Sequence, residues 1–311
     1  MTVLPNCNAQ AGPEVDLHSA RTTTLPADGD SLDDIVFVAF DTETTGLSPI
    51  ACRLVELCAV KFRLGDGEPE TFETLINPGQ PIPPEVSALH GISDEMVKDA
   101  PLAGPALTRF FDWLGGSAPV LMAHNANFDV EFVKVEAMRA GLSMPQNFVL
   151  DTLVFAQNHV NDCANYKLKT LSEYFGFAGA LYHRALDDSI YVEKLFRKLL
   201  ERSAHKTFGE LRAGGSLSVF GALPQVSGRE RLSQNALAML ATLEEAIGGG
   251  GEAEVRLTYH SEFKSTRVVM PLAVIESRGS VYLNAFCKKS QAERTFRVDR
   301  IVEAILLSRK R

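Results

Sequence analysis

The chain has 311 residues, of which 45% are hydrophobic and 23% charged, a composition typical of a soluble globular protein with room for about two domains. Its first residues lack the basic and apolar regions of a secretory signal, and no run approaches the roughly 18 apolar residues of a membrane span. The five cysteines have no CxxC spacing, so they indicate neither a disulfide framework nor a thiolate zinc site. We therefore expect a cytoplasmic protein.

The net charge of −8 is unevenly distributed along the chain. Residues 252–311 contain 12 Lys and Arg against 7 Asp and Glu, a balance of +5, which leaves −13 for residues 1–251. Such asymmetry favours two modules with different electrostatic roles. The alternative is a surface whose charge simply varies.

The hydrophobic pattern becomes regular only after residue 33. Residues 1–33 are expected to form a poorly ordered tail. From there, three strand-like segments precede alternating strands and helices, a pattern that predicts an α/β layer architecture over residues 34–203. The predicted strands are 35–40, 53–64, 70–78, 118–125 and 146–153, and the predicted helices include 106–116, 128–142, 167–176 and 184–203.

The composition changes after residue 203. Residues 204–251 are rich in Gly, Ser and Pro, which predicts a linker that carries one amphipathic helix at 229–247. The last segment, 252–311, consists of short strand-like runs separated by turns and predicts a small β-barrel or sandwich. The predicted strands there are 254–260, 266–277, 279–287, 293–299 and 300–308.

Two carboxylates end the first predicted strand, in the segment FDTETTGL. Asp41 and Glu43 are two residues apart, so in a strand they share a face, and their repulsion is tolerable where a divalent cation binds between them. The segment HNANFD places Asp129 at a junction between strand and helix, and HRALDD places His183 before Asp188 at a helix start. Four carboxylates and one histidine, from three separate segments, can therefore meet in one cleft.

These three segments resemble the motifs of the DEDDh family of 3′–5′ exonucleases, which includes the proofreading epsilon subunit of bacterial DNA polymerase III. The spacing of His183, Ala185 and Asp188 is that of the histidine branch of the family. The resemblance extends over about residues 34–203. It implies a ribonuclease H-like fold with a mixed five-stranded sheet flanked by helices.

The resemblance also implies a mechanism, in which two Mg²⁺ or Mn²⁺ ions assist phosphodiester hydrolysis. Asp41, Glu43, Asp129 and Asp188 would be the metal ligands, and His183 the general base. Residues implied to contact substrate are Thr42, Thr44, Gly46, Leu47, His90, His124 and Phe128.

Three residues near these motifs have structural alternatives. An aromatic residue at a helix start, such as Phe128, is often part of the core. Asp187, beside Asp188, is expected to be a solvated or capping carboxylate, and Asp151 is expected to be structural.

Residues 252–311 resemble a WYL domain, a small Sm/SH3-like β-barrel. The resemblance rests on Tyr259, Pro271, Tyr282, Leu283, Arg294, Phe296, Arg297 and Arg300, while Val281 stands where the name-giving tryptophan would be. Arginine beside aromatic rings suits phosphate pairing and base stacking. The expected ligand is single-stranded nucleic acid or a nucleotide, bound by Tyr259, Tyr282, Arg294, Arg297 and Arg300; the alternative is a basic face for protein contact.

The segment SLSVF at Ser216–Phe220 resembles a sliding-clamp-binding peptide without its leading glutamine. A solvent-exposed peptide there would bind the clamp; the alternative is that Val219 and Phe220 pack against either domain.

The leading functional hypothesis is a metal-dependent exonuclease that removes nucleoside monophosphates from single-stranded 3′ ends of DNA. The alternatives are a 3′–5′ exoribonuclease and a non-catalytic nucleic-acid-binding regulator. Proofreading, DNA repair, RNA turnover and phage defence would all use the same five residues.

Overall fold

The computed structural model describes residues 25–65, 67–115, 118–177, 184–220, 228–248, 253–260, 264–277 and 279–308. The predicted tail falls largely outside the described residues, as does the predicted general base His183. None of the helices in the described ranges combines the length and the apolar character needed to cross a bilayer.

The first sheet contains six strands, β1 (Phe37–Thr44), β2 (Leu54–Phe62), β3 (Glu70–Leu75), β4 (Val120–Ala123), β5 (Phe148–Asp151) and β6 (Leu217–Val219). Their spatial order is β3-β2-β1-β4-β5-β6. β1 runs antiparallel to β2 and parallel to β4, whereas β6 runs antiparallel to β5. The predicted mixed sheet is confirmed, with a sixth strand beyond the five that were expected.

Helices cover both faces of this sheet. Those of the N-terminal part are α1 (Pro84–His90), α2 (Asp94–Val97), α3 (Ala103–Leu114), α4 (Asn127–Arg139), α5 (Thr152–His159), α6 (Leu168–Tyr174), α7 (Ala185–Ser203) and α8 (Phe208–Ala213). α3 and α4 pack on one face, and α5 and α7 on the other.

The alternation of side chains along β1 determines which face each residue joins. Val38 and Phe40 belong to the core beneath α3 and α4, whereas Phe37 and Ala39 belong to the core beneath α7. Odd-numbered positions of β1 therefore face α7, and even-numbered positions face α4.

The C-terminal sheet has five antiparallel strands, β7 (Glu254–His260), β8 (Lys264–Ser277), β9 (Ser280–Cys287), β10 (Ala292–Arg297) and β11 (Ile301–Ser308). Their order is β10-β9-β8-β7-β11. Instead of the closed barrel that the resemblance implied, this is an open sheet in the described residues, because no pairing joins β10 to β11. Helix α9 (Gln234–Gly248) supplies Leu240 and Leu243 to the core of this sheet.

The segment predicted to bind a clamp is part of the first sheet. Leu217–Val219 is strand β6, and Phe220 is only 1% exposed, with its ring centroid 6.5 Å from that of Phe40. The backbone N–H of Phe220 also donates to the carbonyl of Asn147 at 2.8 Å. This segment is therefore unavailable as an exposed clamp-binding peptide, because its apolar side chains complete the core.

The two parts of the molecule meet where α4 packs against β8. The Ser277 hydroxyl donates to Glu131 at 2.6 Å, and Glu131 pairs with Lys134 at 3.2 Å; all three side chains are buried. Buried polar groups that satisfy one another in this way define the contact geometry.

Candidate active site

The end of β1 brings together the carboxylates that the sequence singled out. Asp41 and Glu43 occupy odd positions of the strand and so lie on the face covered by α7. Asp188 lies in the first turn of α7, one turn after the buried Ala185 and one before the buried Val192, so it also points to the sheet. Carboxylate oxygens of Asp41, Glu43 and Asp188 lie within 4.8 Å of one another.

A fourth acidic side chain, Glu56 on β2, fixes the start of α7. It lies opposite Glu43 in the register of β1 and β2. The guanidinium of Arg184 donates to its carboxylate at 3.0 Å and the backbone N–H of Ala185 at 3.1 Å. Sequence reasoning missed Glu56, although an acidic residue in an otherwise apolar strand is a signal that could have indicated it.

Asp129 reaches the site from the opposite face of β1. It lies in the first turn of α4, and its Oδ1 accepts hydrogen bonds from the backbone N–H of Thr42 at 3.0 Å and from the Thr42 hydroxyl at 2.7 Å. These contacts attach α4 to the strand between Asp41 and Glu43. Asp129 is nevertheless not part of the three-residue cluster.

The concentration of negative charge changes the acidity of these groups. Burial, followed by the charges of Asp188 and Glu56, raises the pKa of Glu43 to about 8. Burial and the charge of Asp129 raise the pKa of Asp41 well above its usual range. Burial also raises the pKa of Asp129 to about 7, although the hydrogen bonds from Thr42 oppose that rise. Burial and mutual repulsion thus favour the protonated forms of these carboxyl groups, and only the charge of Arg184 opposes the rise at Glu43.

A tight turn follows β1 and carries further predicted substrate contacts. The Thr44 hydroxyl donates to the Gly46 carbonyl at 2.7 Å. Gly46 has φ +152°, and a Cβ there would lie 2.8 Å from the Cys52 Sγ. Leu47 is 83% exposed, so its side chain is open to contact with a ligand. Contact of these residues with substrate stays a prediction.

The three remaining predicted substrate residues have protein partners. His90 is 2% exposed and accepts from the backbone N–H of Ile92 at 3.0 Å. His124 lies 3.1 Å from the Thr152 hydroxyl and 2.7 Å from the Tyr166 carbonyl, and burial lowers its pKa. Phe128 packs against the core, with its ring centroid 5.0 Å from that of Phe132. Each of the three residues therefore has a protein contact, and its contact with substrate stays a prediction.

Of the five ligand residues predicted in the WYL segment, four line one cavity of about 380 Å³. They are Tyr259, Tyr282, Arg294 and Arg297, and Arg297 pairs with Asp299 through its Nε at 3.0 Å. Arg300 follows in a short 3₁₀ turn, Val298–Arg300, and does not line this cavity.

The donor set at the end of β1 suits a hard divalent cation. It consists of carboxylate oxygens only, and such a cation would offset the mutual repulsion that raises the pKa values of Asp41 and Glu43. Asp41, Glu43 and Asp188 are the residues placed to hold it.

Comparison with known proteins identifies two family matches in the chain. A family described as Exonuclease matches residues 38–196, about half of the chain, and a WYL domain matches residues 238–306. The exonuclease part is 45% identical over 166 residues to a DNA polymerase III of the PolC type from Caldanaerobacter subterraneus subsp. tengcongensis. It is 34% identical over 176 residues to the corresponding polymerase of Bacillus subtilis. These matches cover 53% and 56% of this chain but only 12% of either relative.

Among solved structures, E. coli Exonuclease I in complex with a dA16 oligonucleotide is similar over 81% of this chain and 55% of that one, with a TM-score of 0.50 and 17% identity. At this identity the likeness concerns the fold. The exonuclease match covers half of the chain, and the carboxylates of Asp41, Glu43 and Asp188 form a cluster suited to a cation at the end of β1. The chain therefore belongs to the exonuclease family of nuclease hydrolases and carries a C-terminal WYL domain.

Proposed function

We propose that the protein is a 3′–5′ exonuclease that hydrolyses single-stranded 3′ ends of DNA to nucleoside monophosphates, using two Mg²⁺ or Mn²⁺ ions. The WYL domain would bind nucleic acid or a nucleotide. The observation that carries the proposal is the convergence of the Asp41, Glu43 and Asp188 carboxylates within 4.8 Å. DNA as the polymer is supported by the relatives named as DNA polymerase III. We expect the activity in the cytoplasm, in replication or repair.

In the proposed reaction, a water oxygen forms a bond to the phosphorus while the bond from phosphorus to the 3′ oxygen breaks. His183 takes the proton that the water loses, and the departing 3′ oxygen gains a proton from solvent. Bound divalent cations lower the pKa of water and neutralise charge on the reacting oxygens. Asp41, Glu43 and Asp188 would hold them, with Asp129 contributing from α4.

Neighbouring side chains hold the proposed metal-binding carboxylates and the elements that bear them in place. Thr42 holds Asp129 by two hydrogen bonds, and Glu56 holds the first turn of α7, which bears Asp188 and follows His183 in the chain. These contacts fix the carboxylates before a substrate binds, which lowers the entropic cost of the step.

The test is hydrolysis of matched single-stranded DNA and RNA, labelled at either end, with Mg²⁺ or Mn²⁺. Wild-type protein should shorten 5′-labelled DNA progressively from its 3′ end. Asp188→Ala or Asp41→Ala should abolish hydrolysis and leave the fold intact, because each removes a carboxylate from the cluster. Asp187→Ala is the matched control, since Asp187 adjoins Asp188 but lies outside the cluster.

Other outcomes would redefine the activity. A ladder of products from the 5′ end would refute the proposed polarity. Faster cleavage of RNA than of DNA would identify an exoribonuclease. Equal loss of activity in Asp187→Ala and Asp188→Ala would show that the three-carboxylate cluster is not the centre of the reaction.

A further inference from the structure

A groove runs between the exonuclease domain and the WYL domain. It consists of the cavity of about 380 Å³ described above and a neighbouring one of about 750 Å³. The two cavities share the lining residues Arg53, Gln80, Arg139, Asn284 and Glu293, which come from both domains. Their volumes fall within the range of small-ligand sites.

The exonuclease wall of the groove is held rigidly by one buried carboxylate. Glu136 of α4 is 1% exposed and accepts from Arg53 Nε at 2.6 Å, from Arg53 Nη2 at 3.1 Å and from Arg139 Nη1 at 3.0 Å. The Arg139 side chain is 7% exposed, and its Nε–H has no acceptor among the residues that the structure describes. A buried donor without a protein acceptor is satisfied by water or by a ligand.

The WYL wall follows from the register of β9 and β10. Tyr282 lies opposite Arg297, and Asn284 opposite Thr295, so these four side chains share the face turned toward the exonuclease domain. The other face carries Leu283 and Phe296, which pack in the core with α9.

The charges in this groove favour an anion. Four arginines line it, and three carboxylates pair with them: Glu136 with Arg53 and Arg139, Glu293 with Arg53 at 3.8 Å, and Asp299 with Arg297. One positive charge, that of Arg294, is left in excess. Arg294 forms no ion pair within the described part of the chain and only a 3.3 Å hydrogen bond to the Ser290 hydroxyl. Its planar guanidinium therefore has donors available for a phosphate.

We infer that this groove is a composite nucleotide-binding site that requires both domains. Arg53 of the exonuclease domain binds phosphate together with Arg294 and Arg297 of the WYL domain, while Tyr259 and Tyr282 contact bases. Arg139 holds the loop that forms the exonuclease wall, through the Ile50 carbonyl. Guanidinium groups beside aromatic rings match the alternating phosphates and bases of a nucleotide chain. The choice of a nucleotide as the ligand rests on the proposed nuclease function. The existence of the site is inferred from the groove and the residues that line it.

The groove is connected to the active site by a single loop, residues 45–53. Ile50 and Ala51 line the groove, while Gly46 and Leu47 follow the metal-binding strand. Arg139 Nη2 donates to the Ile50 carbonyl at 2.6 Å, and the Thr295 hydroxyl donates to the same oxygen at 3.3 Å. The nucleotide ligand is therefore either an internal part of the strand whose 3′ end is cleaved or a separate short oligonucleotide.

Binding can be tested without catalysis, using the full chain with Asp188→Ala in EDTA and fluorescein-labelled oligothymidylates of about 4 to about 16 nucleotides. Two variants address the two walls. Ala51→Glu adds a negative charge to the exonuclease wall, with Ala51→Gln as its neutral control. Arg294→Ala removes a charge from the WYL wall. Its control is Arg256→Ala, an exposed arginine of β7 outside the groove.

We expect Ala51→Glu and Arg294→Ala each to weaken binding about tenfold and to reduce the slope of log K against log salt by about 1. Both controls should bind within about twofold of the Asp188→Ala parent, and thermal unfolding should verify that all variants fold. If Ala51→Glu and Arg294→Ala bind as their controls do, the inference is overturned. If only Arg294→Ala weakens binding, the site belongs to the WYL domain and its composite character is refuted.

Hydrolysis by the active full chain distinguishes the two sources of ligand. For an internal strand segment, kcat/KM rises with substrate length and the rise is lost in Arg294→Ala. If the ligand is a separate oligonucleotide, then an oligonucleotide that a 3′ phosphorothioate linkage protects from hydrolysis raises the Tm of the wild type but not of Ala51→Glu. In that case Arg294→Ala does not affect the dependence of kcat/KM on substrate length. Absence of all hydrolysis would refute the nuclease proposal, while variant-dependent binding in EDTA would still support the groove.

Discussion

Asp41 and Glu43 lie near the carboxylates of Asp188 and Glu56, whose charges raise the pKa values of both residues. Their raised pKa values have a definite consequence for the metal-free protein. Glu43 has a pKa of about 8 in the folded state against an ordinary value of 4.5. Between these values the folded protein holds a proton that the unfolded chain has released, so the stability that this group contributes is present below pH 4.5 and is lost as the pH rises toward 8.

We therefore predict that the Tm of the metal-free protein decreases as the pH is raised from about 5 to about 8. Mg²⁺ should raise the Tm more at the higher pH, because protons compete with the cation for the carboxylates. Differential scanning fluorimetry with EDTA or Mg²⁺ measures both effects. Glu43→Gln should flatten the metal-free pH dependence. A Mg²⁺-induced shift of equal size at both pH values would contradict this account.

Glu56 is expected to act as a positioning residue, because it touches the first turn of α7 and not the three-carboxylate cluster directly. Glu56→Gln should destabilise the protein by about 1 to 3 kcal/mol, since the charged acceptor of two hydrogen bonds is replaced by a neutral amide. It should also lower kcat with little change in KM, if the turn bearing Asp188 moves. Arg184→Ala, which removes the exposed partner only, is the milder comparison. Unchanged kcat in Glu56→Gln would refute the positioning role.

The loop that follows β1 is tightly constrained between its two ends. The Thr45 N–H donates to the Arg53 carbonyl at 2.9 Å, and the Arg53 N–H donates to the Thr45 hydroxyl at 3.0 Å. These two bonds close the loop that presents Gly46 and Leu47 beside the carboxylates. Any side chain larger than hydrogen at position 46 must displace Cys52.

Gly46→Ala should therefore cost about 1 to 3 kcal/mol of stability and reduce kcat/KM, since the loop must shift to relieve the contact with Cys52 Sγ. Adding Cys52→Ala removes the clashing atom and should restore part of both losses, while Cys52→Ala alone stays close to wild type. Urea unfolding and initial rates measure the two effects. An absence of any recovery in the double variant would mean that the backbone conformation, and not the clash, requires glycine.

Strand β6 lies within the segment that was predicted to be a linker, and it adds a sixth strand to the first sheet. Phe220, which follows it, is buried in the core. Phe220→Ala should lower the free energy of unfolding by about 3 to 5 kcal/mol, the usual cost of truncating a buried phenylalanine. Ser218→Ala, at an exposed position of the same strand, should change it by less than about 0.5 kcal/mol. If the segment were a free peptide, Phe220→Ala would leave the Tm unchanged.

Helix α9 belongs physically with the C-terminal sheet, because Leu240 and Leu243 are buried against it. A chain truncated after Gly248 would expose this apolar face, so it should bind a hydrophobic dye and aggregate. A chain truncated after Phe220 keeps the whole first sheet and should stay soluble, but it should bind single-stranded DNA more weakly, with a smaller salt dependence, because the basic segment is lost. Size-exclusion chromatography and binding titrations over a range of salt concentrations compare the two. Equal salt slopes in the full and shorter chains would assign the WYL domain to another partner.

The local pattern of the chain was sufficient for most elements. Strand β7 begins and ends where its alternation predicted, and β8, β9, β10 and β11 differ by a few residues at most. The three motifs likewise singled out Asp41, Glu43 and Asp188, whose carboxylates the structure brings within 4.8 Å of one another. Their role as metal ligands stays a prediction. Alternation and helical periodicity are properties of neighbouring residues, so they can be read from the sequence.

Other features depended on segments that are far apart in the chain. Leu217–Val219 is too short for its sequence to predict a strand. It forms one because the edge of β5 offers hydrogen-bonding partners. Glu56 gains its role from Arg184, 128 residues away. The groove requires Arg53 of the exonuclease domain and Arg297 of the WYL domain to line the same cavity. Residue spacing along the sequence determined which chemical groups the site contains. Tertiary packing decided the hydrogen-bond partners and the burial of those groups, and it also formed the groove between the domains, because burial and charge pairing depend on distance in space.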